Sequence, residues 1–136
     1  MAVHMSGRYL GQLKVELEHG PSGSKIRTSA PVDNNGDGST FSPTDLCAAS
    51  LGACMLTVMG IVAERDGIDF SACRFEIEKH MQADPRRIAK LPIRIEMPAG
   101  LAPEARKKLE RTAHHCPVHH SLLPEIEIAV SFVYPD

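Results

Sequence analysis

Four cysteines and seven histidines carry most of the reactive chemistry in this sequence, and two of the cysteines stand in unusual settings. Cys54 lies midway along an apolar stretch. Cys116 sits between two histidine pairs in His114-His115-Cys116-Pro117-Val118-His119-His120. A thiolate is the main nucleophile a protein offers at neutral pH, so both cysteines point first to redox chemistry. Pro117 lets Cys116 stand just ahead of a new helical turn, where free backbone N–H groups favour a thiolate. Neighbouring imidazoles, among them His115 and His119, could donate to that thiolate or carry a proton. A surface helix end with histidines that merely suit it accounts for the same residues, and the sequence leaves both explanations open. Cys54 poses the reverse problem. An apolar helix raises a thiol pKa, so a reactive Cys54 needs a cation close by. Arg27 and Arg8 are the candidates by their place in the chain.

The other two cysteines read as packing. Cys47 precedes Cys54 by seven residues on one helix, about 10 Å along the axis, which is beyond the reach of a disulfide. Cys73 shares a strand face with Phe75 and Ile77, the setting of a small buried hydrophobe.

The elements that must position these residues follow from periodicity. Leu13, Val15 and Leu17 alternate with polar neighbours as a half-buried strand, Gly20-Pro21-Ser22-Gly23 turns it, and Lys25 to Ala30 returns. Asp33 to Ser39 is a turn-rich loop that lacks the terminal Glu of a calcium loop. Ser42-Pro43-Thr44-Asp45 then starts a helix, with Ser42 as cap, Pro43 at the first position and Asp45 as the capping-box acid. The helix runs to about Asp66, stopped by Gly67. A strand is expected from Phe70 to about Met81, and a second one with Leu91, Ile93, Ile95 and Met97 inward. Pro103 opens an amphipathic helix that reaches the histidines, where Pro117 interrupts it. A last strand carries Ile126, Ile128, Val130, Phe132 and Tyr134. The expected order is ββ-α-ββ-α-β: an α+β fold with helices on a mainly antiparallel sheet, in one domain spanning 1–136. The central helix is apolar around most of its circumference, and one small sheet covers only one side. A homodimer with these helices buried at its centre is therefore expected.

Composition excludes several classes. With 136 residues, a formal charge of −2 and a pI near 6.4, the chain has no electrostatic footprint for nucleic acid. Zero Trp, two Tyr and four Phe leave no stacking platform for bases. Leu46 to Ala63 has the length of a membrane span, but Ala, Gly, Ser, Cys and Thr make up much of it. It reads as a buried helix, with no membrane partner. The N-terminus shows no signal-peptide pattern, so a cytoplasmic location is expected, where cysteines serve catalysis or metal binding more often than structural disulfides. No haem or dinucleotide fingerprint appears.

Two segments taken together resemble a known family. Ser42-Pro43-Thr44-Asp45-Leu46-Cys47-Ala48-Ala49-Ser50-Leu51-Gly52-Ala53-Cys54-Met55, with Cys116-Pro117-Val118-His119-His120-Ser121-Leu122 downstream, is similar to the OsmC/Ohr family of bacterial osmotically induced and organic hydroperoxide resistance proteins. The resemblance implies an OsmC-like fold with a long buried central helix, an intertwined homodimer and two active sites at its interface. It also implies a thiol peroxidase that needs no cofactor and no metal. Position by position, Cys54 matches the peroxidatic cysteine and Cys116 the resolving one. A hydroperoxide, organic in class by the family's name, would oxidise Cys54 to a sulfenic acid that condenses with Cys116. An external dithiol reductant, in hydroperoxide-resistance members a lipoylated protein, would reopen the disulfide.

The chain departs from the family in places. Thr44 stands where hydroperoxide-resistance members carry Glu. Asp45, nine residues before Cys54, points to the opposite side of a straight helix, where capping is its natural role. The family's activating Arg has no clear counterpart between Glu18 and Arg27. Two rivals remain open: a metal site using the four-residue spacings His115/His119 and Cys116/His120, and a non-catalytic ligand-binding dimer.

Overall fold

The computed structural model describes residues 1–136. The chain divides into two compact units, Met1–Cys47 and Ala48–Asp136, and the boundary falls inside the long helix α1 (Pro43–Arg65).

The first unit holds a three-stranded antiparallel sheet of β1 (Met5–Gly11), β2 (Lys14–His19) and β3 (Lys25–Ser29), in that order. The β2–β3 hairpin is the expected one. His19 and Ser24 close it, the His19 N–H donating to the Ser24 carbonyl at 2.8 Å. The first strand of the sheet is an addition to the expected order. Most of β1 is exposed, so its sequence has no apolar alternation to announce it. Leu13 is also displaced from expectation. It lies in the β1–β2 turn, where Gly11, Gln12 and Leu13 take φ of 89°, 55° and 61°. The 33–39 loop is a plain turn tied back to the sheet. The Asp37 carboxylate accepts from Lys14 Nζ at 2.6 Å, Ser29 Oγ at 2.7 Å and the Ser39 N–H at 3.0 Å. Those donors, Lys14 foremost, hold its pKa well below the usual carboxylate range.

Helix α1 begins on the capping box the sequence announces. The Asp45 N–H donates to Ser42 Oγ at 3.1 Å, and the Ser42 N–H donates to Asp45 Oδ2 at 2.9 Å. It ends at Gly67, whose φ of +70° lets the Ile68 N–H turn back to the Ala63 carbonyl at 2.8 Å.

In the second unit β4 (Arg74–Ile77), β5 (His80–Gln82), β6 (Arg87–Glu96) and β7 (Glu127–Val133) form one sheet around β6. The expected single strand from Phe70 to Met81 is in fact β4 and β5, both antiparallel to β6. Pro92 supplies a reason for the break. It accepts from the Glu78 N–H at 3.1 Å but has no N–H to return. The pairing is mainly antiparallel, as expected, and β7 is the exception: it pairs with β6 in parallel, Leu91 opposite Ile128 and Ile95 opposite Phe132. Parallel neighbours need a long crossover. The helices α2 (Pro103–Ala113) and α3 (Pro117–Ser121) provide it. The fold is thus α+β, with three strands before α1 and four after it.

The core of this unit joins Leu51, Met55, Met59 and Ala63 of α1 to Leu91, Ile93 and Ile95 of β6 and to Leu109 and Ala113 of α2. The buried positions of α1 form one stripe at helical spacing. Gly52 belongs to it for a steric reason. A Cβ there would lie 2.2 Å from the Phe75 ring. A single chain covers one side of this helix, as the small sheet leads one to expect. Within one chain only the stripe is covered, and Ile61 is 59% exposed. By length and composition alone α1 would also suit a membrane span, with a mean hydropathy of 2.1 over its most apolar window.

Candidate functional site

Cys116 owes its position to the way α2 stops and α3 starts. The His115 N–H closes the last turn of α2 on the Thr112 carbonyl at 3.0 Å. Pro117, pre-set for a first helical position, then opens α3 and leaves Cys116 as its N-cap in extended backbone, φ −80° and ψ 145°. The cap is the thiol itself: the His119 N–H donates to Cys116 Sγ at 3.3 Å. The residue is fully buried, at 0% exposure.

Cys54 lies on α1 beside the buried stripe and is half-buried. Its side chain hydrogen-bonds the Cys116 thiol. Two cysteines 62 residues apart in sequence are therefore neighbours in space, both as free thiols. The Cys116 pKa is raised, chiefly by burial and further by the hydrogen bond and charge of Cys54. The N–H groups of His119 and Val118 oppose that rise. Cys116 is thus built to keep its proton.

The histidines surround this turn unequally. His114, His115 and His120 are exposed. The His114 ring meets Phe132 edge-on at 6.1 Å, and the His115 and His120 rings lie 5.8 Å apart. His119 is half-buried, with its ring stacked 6.2 Å from that of His120. Its Nδ1 is shut off from solvent and has no hydrogen-bond partner. Burial, followed by the nearby His114, His120 and His115, lowers its pKa. No group of three His, Cys, Asp or Glu side chains in the chain converges in a geometry that could hold a metal ion.

The remaining candidates fall elsewhere. Asp45 is the acid of the α1 capping box. Arg27 is exposed on β3, opposite Glu16 of β2, and lines a cavity of about 580 Å³ within the first unit together with Lys14, Ile26 and Phe41. Arg8 pairs with Glu16 at 3.3 Å. Cys47 is half-buried near the start of α1. Cys73 lies in the turn before β4 rather than within the strand, and burial pushes its thiol up to about 11. The free backbone N–H groups expected after Pro117 are those of Val118 and His119. Sequence patterns gave no sign of one other contributor, the lock at the end of the chain, where Tyr134 donates to Glu110 at 2.5 Å and Arg106 stacks over the Tyr134 ring at 4.1 Å. That lock fastens the chain after β7 to α2, the helix that delivers Cys116.

The sequence profile of the OsmC family, described as OsmC-like protein, matches residues 36–131. Among solved structures, a candidate osmotic stress induced and detoxification response protein from Psychrobacter arcticus is 40% identical. The match covers 98% of this chain and 97% of that one, with a TM-score of 0.92. An organic hydroperoxide resistance protein OsmC from Legionella pneumophila has 21% identity, coverage of 97% and 96%, and a TM-score of 0.73. The organic hydroperoxide resistance protein OhrB of Bacillus subtilis has 16% identity, 98% coverage of both chains and a TM-score of 0.69. At those identities the last two speak for the fold alone. No curated protein matches the chain.

Proposed function

The chain belongs to the OsmC-like protein family, and from that premise we propose that it is a cysteine-based peroxidase that reduces organic hydroperoxides as a homodimer. The observation that carries this reading is the hydrogen-bonded pair of Cys54 and Cys116. Their environments differ in the sense the chemistry needs. Cys54 is half-exposed and can meet a substrate, whereas Cys116 is sealed, holds its proton and waits beside it.

In the proposed cycle the Cys54 thiolate attacks the distal oxygen of the hydroperoxide. The O–O bond breaks, the alkoxide leaves and takes a proton as the alcohol, and Cys54 becomes a sulfenic acid. The Cys116 sulfur then attacks the Cys54 sulfur, forming the S–S bond and releasing water. An external dithiol, such as a lipoyl group, returns both cysteines to thiols as it becomes a disulfide. The peroxide is reduced by two electrons and the dithiol oxidised by two. Organic hydroperoxides are favoured because the two cysteine segments resemble a family named in part for resistance to them. A dimer is favoured by the apolar surface a single chain leaves open: Ile61 on α1, and Met5, Tyr9, Leu13, Ile26 and Phe41 in the first unit.

The test is to give reduced protein one equivalent of cumene hydroperoxide, alkylate, and map the cysteines by mass spectrometry without reduction. A rapid Cys54–Cys116 disulfide, absent in Cys54→Ser and replaced by a Cys54 sulfenic acid in Cys116→Ser, is the expected result. Four free thiols after exposure would remove the reading.

A further inference from the structure

Closing a Cys54–Cys116 disulfide requires the Cys116 proton to leave, and the surroundings restrict where it can go. The residue has no exposed area, so bulk water cannot reach the thiol as a base. In the reduced chain its side-chain neighbour is Cys54, while its sulfur accepts from the His119 N–H. Once Cys54 carries a sulfenic oxygen, the Cys54 sulfur is the electrophile under attack and not a base. Of the four imidazoles on this turn, His114, His115 and His120 are exposed. His119 alone has a ring nitrogen, Nδ1, that is closed off from solvent and unpartnered. A buried polar atom in that state is destabilising, and such atoms call for an explanation, a catalytic role among them. Backbone geometry fixes the same residue beside the thiol. Its N–H donates to Cys116 Sγ at 3.3 Å, and a helical side chain tilts toward the helix N-terminus, here the Cys116 end of α3.

We propose that His119 is the base of the resolving step, its imidazole taking the Cys116 proton as Cys116 attacks the Cys54 sulfenic acid. This rests on the peroxidase reading and assigns a residue to its second half. The titratable groups acting on the ring are His114, His120 and His115. Together with burial they keep it uncharged at neutral pH and able to accept a proton. The Cys116 thiolate so formed keeps the N–H groups of His119 and Val118 as donors. It attacks the Cys54 sulfur, the S–S bond forms and the S–O bond breaks. The departing hydroxide takes the proton back from the imidazolium as water. His119 ends neutral, and the only oxidant is the hydroperoxide already used.

The test separates the two steps in time. Wild type, His119→Asn and His119→Gln are mixed rapidly with one equivalent of cumene hydroperoxide between pH 5 and 9. Sulfenic acid on Cys54 and the disulfide are followed separately. Asn and Gln can still hydrogen-bond but cannot take up a proton. Both variants are expected to accumulate sulfenic acid and to form the disulfide on the order of 100-fold more slowly. The wild-type disulfide rate should show an inflection below pH 6.5 that the variants lose. Wild-type disulfide rates in either folded variant, with the inflection kept, overturn the assignment alone. So does an equal slowing of both steps with a lowered melting temperature, which marks a structural residue. A wild-type chain that forms neither the sulfenic acid nor the disulfide removes the peroxidase reading, and this assignment with it.

Discussion

The middle of α1 and the turn between α2 and α3 each present one cysteine to the same spot, by opposite means. Cys54 rides on a 23-residue helix held by a continuous apolar stripe, and its sulfur is partly open. Cys116 sits where regular structure is interrupted, at 0% exposure, and its own sulfur caps a five-residue helix. One thiol is placed by packing and the other by hydrogen bonds. In the proposed cycle this becomes a division of labour: the rigid element carries the group that would meet a variable substrate, and the turn carries the group that would move toward it. Closing the disulfide draws on the Cys116 sulfur that now accepts from the His119 N–H, and a short helix can yield there at little cost.

Exchanging the thiols breaks the comparison most sharply. Cys54→Ser is expected to reduce peroxide consumption to the background rate. Cys116→Ser should still consume one equivalent of hydroperoxide per Cys54 and then stop, because the attacking sulfur is intact. Serine also remains a good N-cap, so α3 should persist. Peroxide assays in single-turnover and steady-state modes distinguish these outcomes. Equal loss in both variants would mean the two sulfurs act as one unit rather than in sequence.

The packing side of the comparison is tested at Gly52, two residues before Cys54. A Cβ there meets the Phe75 ring at 2.2 Å, so Gly52→Ala must push β4 and α1 apart. A loss of about 1–3 kcal/mol in chemical denaturation is expected, with a reduced yield of the Cys54–Cys116 disulfide. Phe75→Leu in the same background removes the far edge of the ring and should recover part of both. Unchanged disulfide yield in a destabilised Gly52→Ala would show that α1 need not be held this closely for the cysteines to meet.

Burial of thiols also sets a pH dependence with a definite sign. Cys116 is raised above the ordinary thiol value of 9.0, and Cys73 is raised to about 11. Between the unfolded and folded values the unfolded chain has released these protons and the folded chain has not. Unfolding therefore releases protons there, and stability falls as pH rises above 9. Urea midpoints should decline from pH 8 to pH 10.5, and less so in Cys73→Ala. Cys54 should alkylate ahead of Cys116 throughout, because only Cys54 is partly exposed. A midpoint that rises over this range would contradict the burial assigned to both thiols.

Much of this arrangement was legible in the sequence, and what was missed has physical causes. Ser42, Asp45 and Gly67 announced both ends of α1, and Pro117 announced the break that makes Cys116 a cap. Local chemistry of this kind is written in residue types. β1 was invisible because most of its side chains are exposed and lack alternation. The split between β4 and β5 turned on Pro92, a residue of the partner strand. The parallel placement of β7 depended on a crossover that periodicity does not encode. The meeting of Cys54 and Cys116 came from resemblance, since no local rule relates positions 62 residues apart. The buried, unpartnered Nδ1 of His119 needed coordinates altogether.

Asp45 offers the smallest effect and the finest discrimination. It lies on the same helix as Cys54, and a carboxylate ahead of a reactive cysteine invites a chemical role. The hydrogen bonds favour a local one: Asp45 accepts from the Ser42 N–H at 2.9 Å while its own N–H donates to Ser42 Oγ at 3.1 Å. A residue that secures the helix end should matter to stability more than to rate. Asp45→Ala is expected to cost about 1 kcal/mol. Asp45→Asn, which keeps an acceptor oxygen without the charge, should recover most of it. Both variants should form the Cys54–Cys116 disulfide within about twofold of the wild-type rate, since a cap acts on the first turn and Cys54 stands two turns further on. A stable Asp45→Asn that forms the disulfide tenfold more slowly would reverse the assignment. The negative charge, rather than the cap, would then be what the site uses, and α1 would be placing two reactive groups instead of one.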